Sequence, residues 1–175
     1  MTENTSPNDP KEWQKLASDF QHKGDRAAAI LGAVYLESYL GQLIAGFLVK
    51  DKAEVAILLG EEYPLGSFSA RIKAAYCMGL ISANEYKDLN LILAIRNIFA
   101  NDVDVATFAD DGIREKCFML KIPRELLLPG ETRTPRRLFV FASTILTQHL
   151  ALRAANAANE RRTVPDEFML IDTGD

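Results

Sequence analysis

Two arginines, Arg71 and Arg96, stand inside otherwise apolar helical segments. The stretch from Pro64 to Asn101 reads PLGSFSARIKAAYCMGLIS, then a short charged turn, then LNLILAIRNIFAN. A guanidinium among aliphatic side chains is costly unless it is paired or reaches water. Each arginine must therefore brace a core or serve a site, and any fold this chain adopts has to supply partners for both.

The rest of the sequence reads as helix almost throughout. Pro10 opens a helix to about Lys23 with Trp13, Leu16, Ala17 and Phe20 on one face; Gly24 closes it and Asp25 caps the next. That second helix, about 25–50, carries Leu36, Leu40, Leu43, Ile44, Phe47 and Leu48 at helical spacing and is expected to be central. Gly32, Gly41 and Gly46 weaken it but admit a close neighbour. A short helix follows at 53–59, and EEYPLGS makes a turn. Ser67 or Ser69 caps a helix through Met78, which Gly79 ends.

Ser82 with Glu85 forms a capping box for a long helix from about Ala83 to Ala100. An amphipathic segment over 104–121 ends at Pro123. Residues 123–135, with three prolines and Gly130, read as an irregular connection. Pro135 opens a last helix to about Arg161. Residues 1–9 read as a flexible tail. The tail from Thr163 carries Phe168, Met169, Leu170 and Ile171, which suggest packing. There is no internal repeat. The expectation is one all-α domain, an irregular bundle of about six or seven helices.

Composition narrows the function. Twenty Lys+Arg against 24 Asp+Glu give a net charge of −4, so the chain lacks the overall basic footprint of a dedicated DNA-binding domain. Cys77 and Cys117 have no CxxC spacing and read as buried reduced thiols. His22 and His149 stand far apart, without ligand spacing, so no metal is expected. There is no GxSxG, P-loop, HExxH or dinucleotide loop, and no catalytic residue or cofactor is assigned. The N-terminus lacks the order of a signal peptide. Ala27 to Val49 is long enough to span a bilayer, but Glu37 near its middle suits a buried helix of a cytoplasmic bundle better.

PLGSFSARI, the AY-x-x-GLIS turn and the IRN-x-FA ending, with GDRAAAILGAVYLESYL upstream, resemble the mannitol operon repressor family of bacterial regulators. The resemblance covers most of residues 20–122. It implies transcriptional regulation of a mannitol or related sugar-alcohol operon. The acidic chain itself points to indirect action through a protein partner, either a DNA-binding regulator or a component of sugar transport. The 67–100 pair has the gross shape of a helix-turn-helix, but its second helix is too apolar for a major groove.

Arg96 followed by a polar residue one turn later is also similar to the HEPN superfamily of helical nucleotide-binding and RNA-cleaving domains. Where that signature has a histidine, this chain has Asn101, which cannot exchange a proton near neutral pH. The alternative function is therefore binding of nucleotide or RNA without cleavage. Residues 96 and 101 also fall about 140° apart on a straight helix.

Two roles compete for the singled-out residues. Arg71, Arg96, Asn97 and Asn101 are candidates for partner or ligand contact. Arg26, Glu37, Arg71 and Arg96 are candidates for a buried charge network, with Glu37 paired to Arg96 or Arg71. Arg26 lies three turns from Glu37, roughly 16 Å, too far for a direct pair. Basic residues cluster at Arg133, Arg136 and Arg137 and at Arg153, Arg161 and Arg162. They read as solvated charges near Glu131, Glu160 and Asp166, or as a small patch for an anionic partner. A homodimer through Leu138, Phe141, Ile145 and Leu152 requires those side chains to be exposed.

Overall fold

The computed structural model describes Ser18 and residues 22–101, 106–128 and 130–165. The expected helix over 10–23 and the apolar tail 168–171 lie almost wholly outside the described residues. Within them there are seven α-helices and no strand: α1 (Asp25–Phe47), α2 (Lys52–Leu58), α3 (Phe68–Cys77), α4 (Ala83–Asn101), α5 (Asp111–Met119), α6 (Lys121–Leu126) and α7 (Pro135–Asn156). A 3-10 turn, Ala157–Glu160, continues α7.

α1 is the central helix, as its spacing predicts. Leu36, Leu40 and Ile44 are fully buried, and α7, α4 and α3 all pack on it. Polar contacts set the directions. Arg136 at the start of α7 pairs with Asp25 at the start of α1, and beyond α7 the Arg162 amide donates to the Phe47 carbonyl at 2.8 Å. These two helices therefore run parallel. Arg26 reaches the Ala100 carbonyl at the end of α4 (3.3 Å), so α4 runs antiparallel to them.

Leu89, Ile92, Ile95 and Phe99 of α4 join Ile72, Ile113, Phe139, Leu146 and Leu150 in one hydrophobic cluster. Each large aliphatic buried there contributes about 1.5–3 kcal/mol before the cost of ordering the chain. Phe108 sits between Phe99 and Phe139, with ring centroids 5.0 and 5.1 Å apart.

Local chemistry explains most of the helix ends. Ser67 Oγ accepts the Ala70 amide, and the Ser82–Glu85 box closes from both sides, through Ser82 N to Glu85 Oε2 (2.7 Å) and Glu85 N to Ser82 Oγ (3.3 Å). Gly79, with φ of +73°, terminates α3, and the amides of Gly79 and Leu80 turn back to the carbonyls of Tyr76 and Ala75.

Several boundaries differ from expectation, most clearly around Pro123. Pro123 does not end a helix but sits in the first turn of α6, where the missing N–H is no loss. The connection before α7 is correspondingly shorter than 123–135. Both α1 and the Pro135–Glu160 segment are long and apolar enough to cross a membrane; here their apolar sides are spent on each other and on α4.

Candidate functional site

Arg71 is half-buried on α3, and its partners are carbonyls. Nε donates to Leu65 O (2.9 Å), Nη2 to Leu59 O (2.8 Å) and Nη1 to Glu37 O (3.2 Å). One guanidinium thus fastens both ends of the 59–65 turn to the middle of α1. Gly41 makes room, because a Cβ there would stand 3.2 Å from Arg71 Nη1. The turn is as tight as it can be. A Cβ on Gly66 would fall 2.3 Å from the Gly60 carbonyl oxygen.

The expected carboxylate–arginine network therefore takes another form. Arg71 meets Glu37 at its backbone oxygen, and among the described residues the Glu37 carboxylate makes no ion pair. Arg26 is exposed and reaches the Ala100 carbonyl, while Arg96 Nη1 donates to Asn97 Oδ1 at 3.1 Å. The physical reason is geometric. Three turns separate Arg26 from Glu37 on α1, and a loop carbonyl offers a guanidinium the same charge-assisted bond without desolvating a carboxylate.

Of the candidate contact residues, Arg71 is committed to the fold. Arg96, Asn97 and Asn101 share the C-terminal half of α4, with both asparagines exposed. Arg26 joins that end through its bond to Ala100.

The buried carboxylates lie elsewhere. Glu85 is 5% exposed, and its Oε2 takes Arg153 Nη1 at 2.8 Å as well as the Ser82 amide. Arg153 Nη1 also donates to Leu80 O (3.3 Å), and His149 Nδ1 stands 3.6 Å from Glu85 Oε1. Burial alone would raise the Glu85 pKa. The Arg153 hydrogen bond, the Ser82 amide and the Arg153 charge outweigh it and leave the group below its ordinary value. Arg153 lines a cleft of about 540 Å³ with Leu43, Phe47, Leu80, Leu152 and Glu160.

Asp88 is fully buried, and both its oxygens cap α6, from the amides of Lys121 (2.7 Å) and Ile122 (2.8 Å). Pro123 carries no N–H, so two oxygens satisfy the whole first turn. Burial nevertheless pushes the Asp88 pKa up. The capping box is the one sequence signal that marks Glu85; Asp88 has none beyond its place on the buried stripe of α4.

The basic clusters are largely occupied. Arg136 holds Asp25 and the Lys23 carbonyl, Arg137 pairs with Glu131, Arg153 with Glu85, and Arg162 lies over the Phe47 ring (5.1 Å). The last helix leaves little apolar surface. Leu138 is buried, Phe141 and Ile145 are half-buried against the core, and only Leu152 is exposed.

A family model described as "Mannitol repressor" matches residues 33–151. The chain is 39% identical over 62 residues to the mannitol operon repressors of Escherichia coli K12 and of Escherichia coli O6:H1 (strain CFT073), 35% of this chain and 32% of each relative. The match thus spans about a third of the length of those relatives. A solved structure described as the MtlR–HPr complex from Escherichia coli superposes with a TM-score of 0.66 at 23% identity, over 79% of this chain and 98% of that one. That likeness shows a shared fold, and with the family match over two helices of the central core and everything between them, the chain belongs to the mannitol repressor family.

Proposed function

We propose that this all-α unit is a cytoplasmic, repressor-type regulator of a mannitol or related sugar-alcohol operon, acting through a protein partner and not as a catalyst. One observation carries the indirect mechanism. Four of the six arginines in the basic clusters are already held by protein groups, so those clusters have few cations left to neutralise phosphates on a chain that is acidic overall. The helix that would have to read bases, α4, buries Leu89, Ile92, Ile95 and Phe99 in the core.

The partner is a component of sugar transport. The similar MtlR fold is described in complex with HPr, which makes HPr the first protein to test. The contact surface proposed is the exposed end of α4, at Arg96, Asn97 and Asn101. Arg71 is withdrawn from it, because its donors are used within the fold.

The test pairs two titrations of the purified protein, one with HPr from the same source and one with the promoter DNA of the neighbouring operon. Saturable binding of HPr, with no DNA shift at physiological salt, is the expected result. Sequence-selective DNA binding by the protein alone, weakening steeply with salt, would overturn the indirect mechanism. The second reading, nucleotide or RNA binding, draws on the same polar end of α4, and a nucleotide titration that Asn101→Ala abolishes would favour it.

A further inference from the structure

Two exposed surfaces of opposite character have no part in the contact proposed above. The first is a hollow of about 590 Å³ between α4, α5 and α6, floored by Tyr86, Leu91 and Met119 and rimmed by Lys87, Lys121 and Arg124. Met119 is 58% exposed, and Tyr76 stacks on Tyr86 with ring centroids 4.4 Å apart. None of the three cations makes an ion pair among the described residues, although Lys121 lies near the buried Asp88 carboxylate, in contrast to the arginines of α7. A basic rim around an apolar floor is an anomaly on an acidic chain.

The second surface is its complement. Residues 51–66, α2 and the turn after it, carry Asp51, Glu54, Glu61 and Glu62 against the single cation Lys52. Among the described residues α2 buries no side chain and packs appreciably on no other helix, and Ile57 and Tyr63 are about half exposed. The Arg71 bonds and the closed Gly60–Gly66 crossing hold this projection in one shape. A surface already ordered loses little entropy on docking.

We infer that the two surfaces are made for each other in separate molecules, so that two copies of this chain associate with the acidic projection of one seated in the basic hollow of the other. Charge is complementary, four carboxylates against three cations, and each side offers apolar groups to the other: Ile57 and Tyr63 to Tyr86, Leu91 and Met119. One such seating is small against the ~1,600 Å² of a standard interface, whereas a twofold pair makes it twice. The pair inferred is the closed one, with both seatings made at once. It uses neither the end of α4 nor any residue assigned to the partner contact.

Sedimentation velocity over a concentration series tests this on the full chain. The wild type forms a dimer whose association weakens with added salt. Glu61→Lys with Glu62→Lys, and separately Lys87→Glu with Arg124→Glu, each weaken it at least ~10-fold. All four residues are exposed, and circular dichroism checks that both variants are folded. Mixing the two variants restores dimers, because every contact in the mixed pair is then complementary. A wild type that stays monomeric throughout overturns the inference. So does a dimer indifferent to both reversals, or variants whose mixture remains monomeric.

Discussion

Arg153 Nη1 lies 2.8 Å from Glu85 Oε2, joining the last turns of α7 to the first turn of α4 across 68 residues of chain. Glu85 meanwhile closes the capping box with Ser82, so a single carboxylate ends one helix and pins another. Arg153→Ala strands the buried carboxylate. Unfolding free energy should fall by about 2 kcal/mol, read from urea denaturation followed by circular dichroism.

The same pair predicts a pH dependence. The Glu85 pKa is lowered in the fold, so the stability it lends is complete above its ordinary value of 4.5 and is lost as pH falls through the folded value. Asp88 has the opposite sign. Its raised pKa lends stability that is complete below its ordinary 3.8 and is lost as pH rises through the folded value. Glu85→Gln should therefore make the acid loss of stability shallower and Asp88→Asn steeper. Urea midpoints at a series of pH values check both slopes.

Arg71 and Glu37 separate two readings of one contact. Arg71→Ala removes three bonds from the 59–65 turn and from α1, and should cost about 3 kcal/mol. Glu37→Gln keeps the backbone oxygen that Arg71 uses and should stay within about 0.5 kcal/mol of wild type. Equal losses in the two variants would point to the carboxylate after all. Hydrogen exchange should speed up across 60–66 in Arg71→Ala.

Much of the architecture is legible in the sequence because its causes are local. Ser67, the Ser82–Glu85 box, Gly79 and Pro135 act within a turn of where they stand, and apolar spacing identifies α1 as central. The Arg71 partners are not local. Its acceptors are carbonyls, two at the ends of a loop and one on α1, and every residue has one, so no residue type announces them. The role of Asp88 is hidden for a related reason, since its donors are amides 33 and 34 residues away. Pro123 is the opposite case, a local signal with the wrong sense. It is a helix breaker in general, but a fitting residue in a first turn whose other amides already have acceptors.

Two glycines should respond oppositely to alanine. Gly66→Ala drives a Cβ to 2.3 Å from a backbone oxygen that no rotamer change can move, and should destabilise by at least ~2 kcal/mol. Gly112, inside α5, has open space around it, and Gly112→Ala should add about 0.5–1 kcal/mol. Thermal denaturation of both variants reads the two signs directly.

The two cysteines should differ in reactivity. Cys77 is exposed, whereas burial pushes the Cys117 thiol up to about 12. Treating the native protein with iodoacetamide near neutral pH should give one adduct by intact mass, and treating it in denaturant should give two. A second adduct under native conditions would mean that the core around Cys117 opens readily.

The parallel pairing of α1 with α7 also has a consequence for biosynthesis. Asp25 and Arg136 stand 111 residues apart, so a ribosome making ~5–20 residues per second leaves α1 without its main companion for on the order of ten seconds. During that interval Leu36, Leu40 and Ile44 have only the helices already synthesised to cover them. The nascent chain is then a natural client for chaperones, and a message truncated before α7 yields a product with its central helix bare on one side.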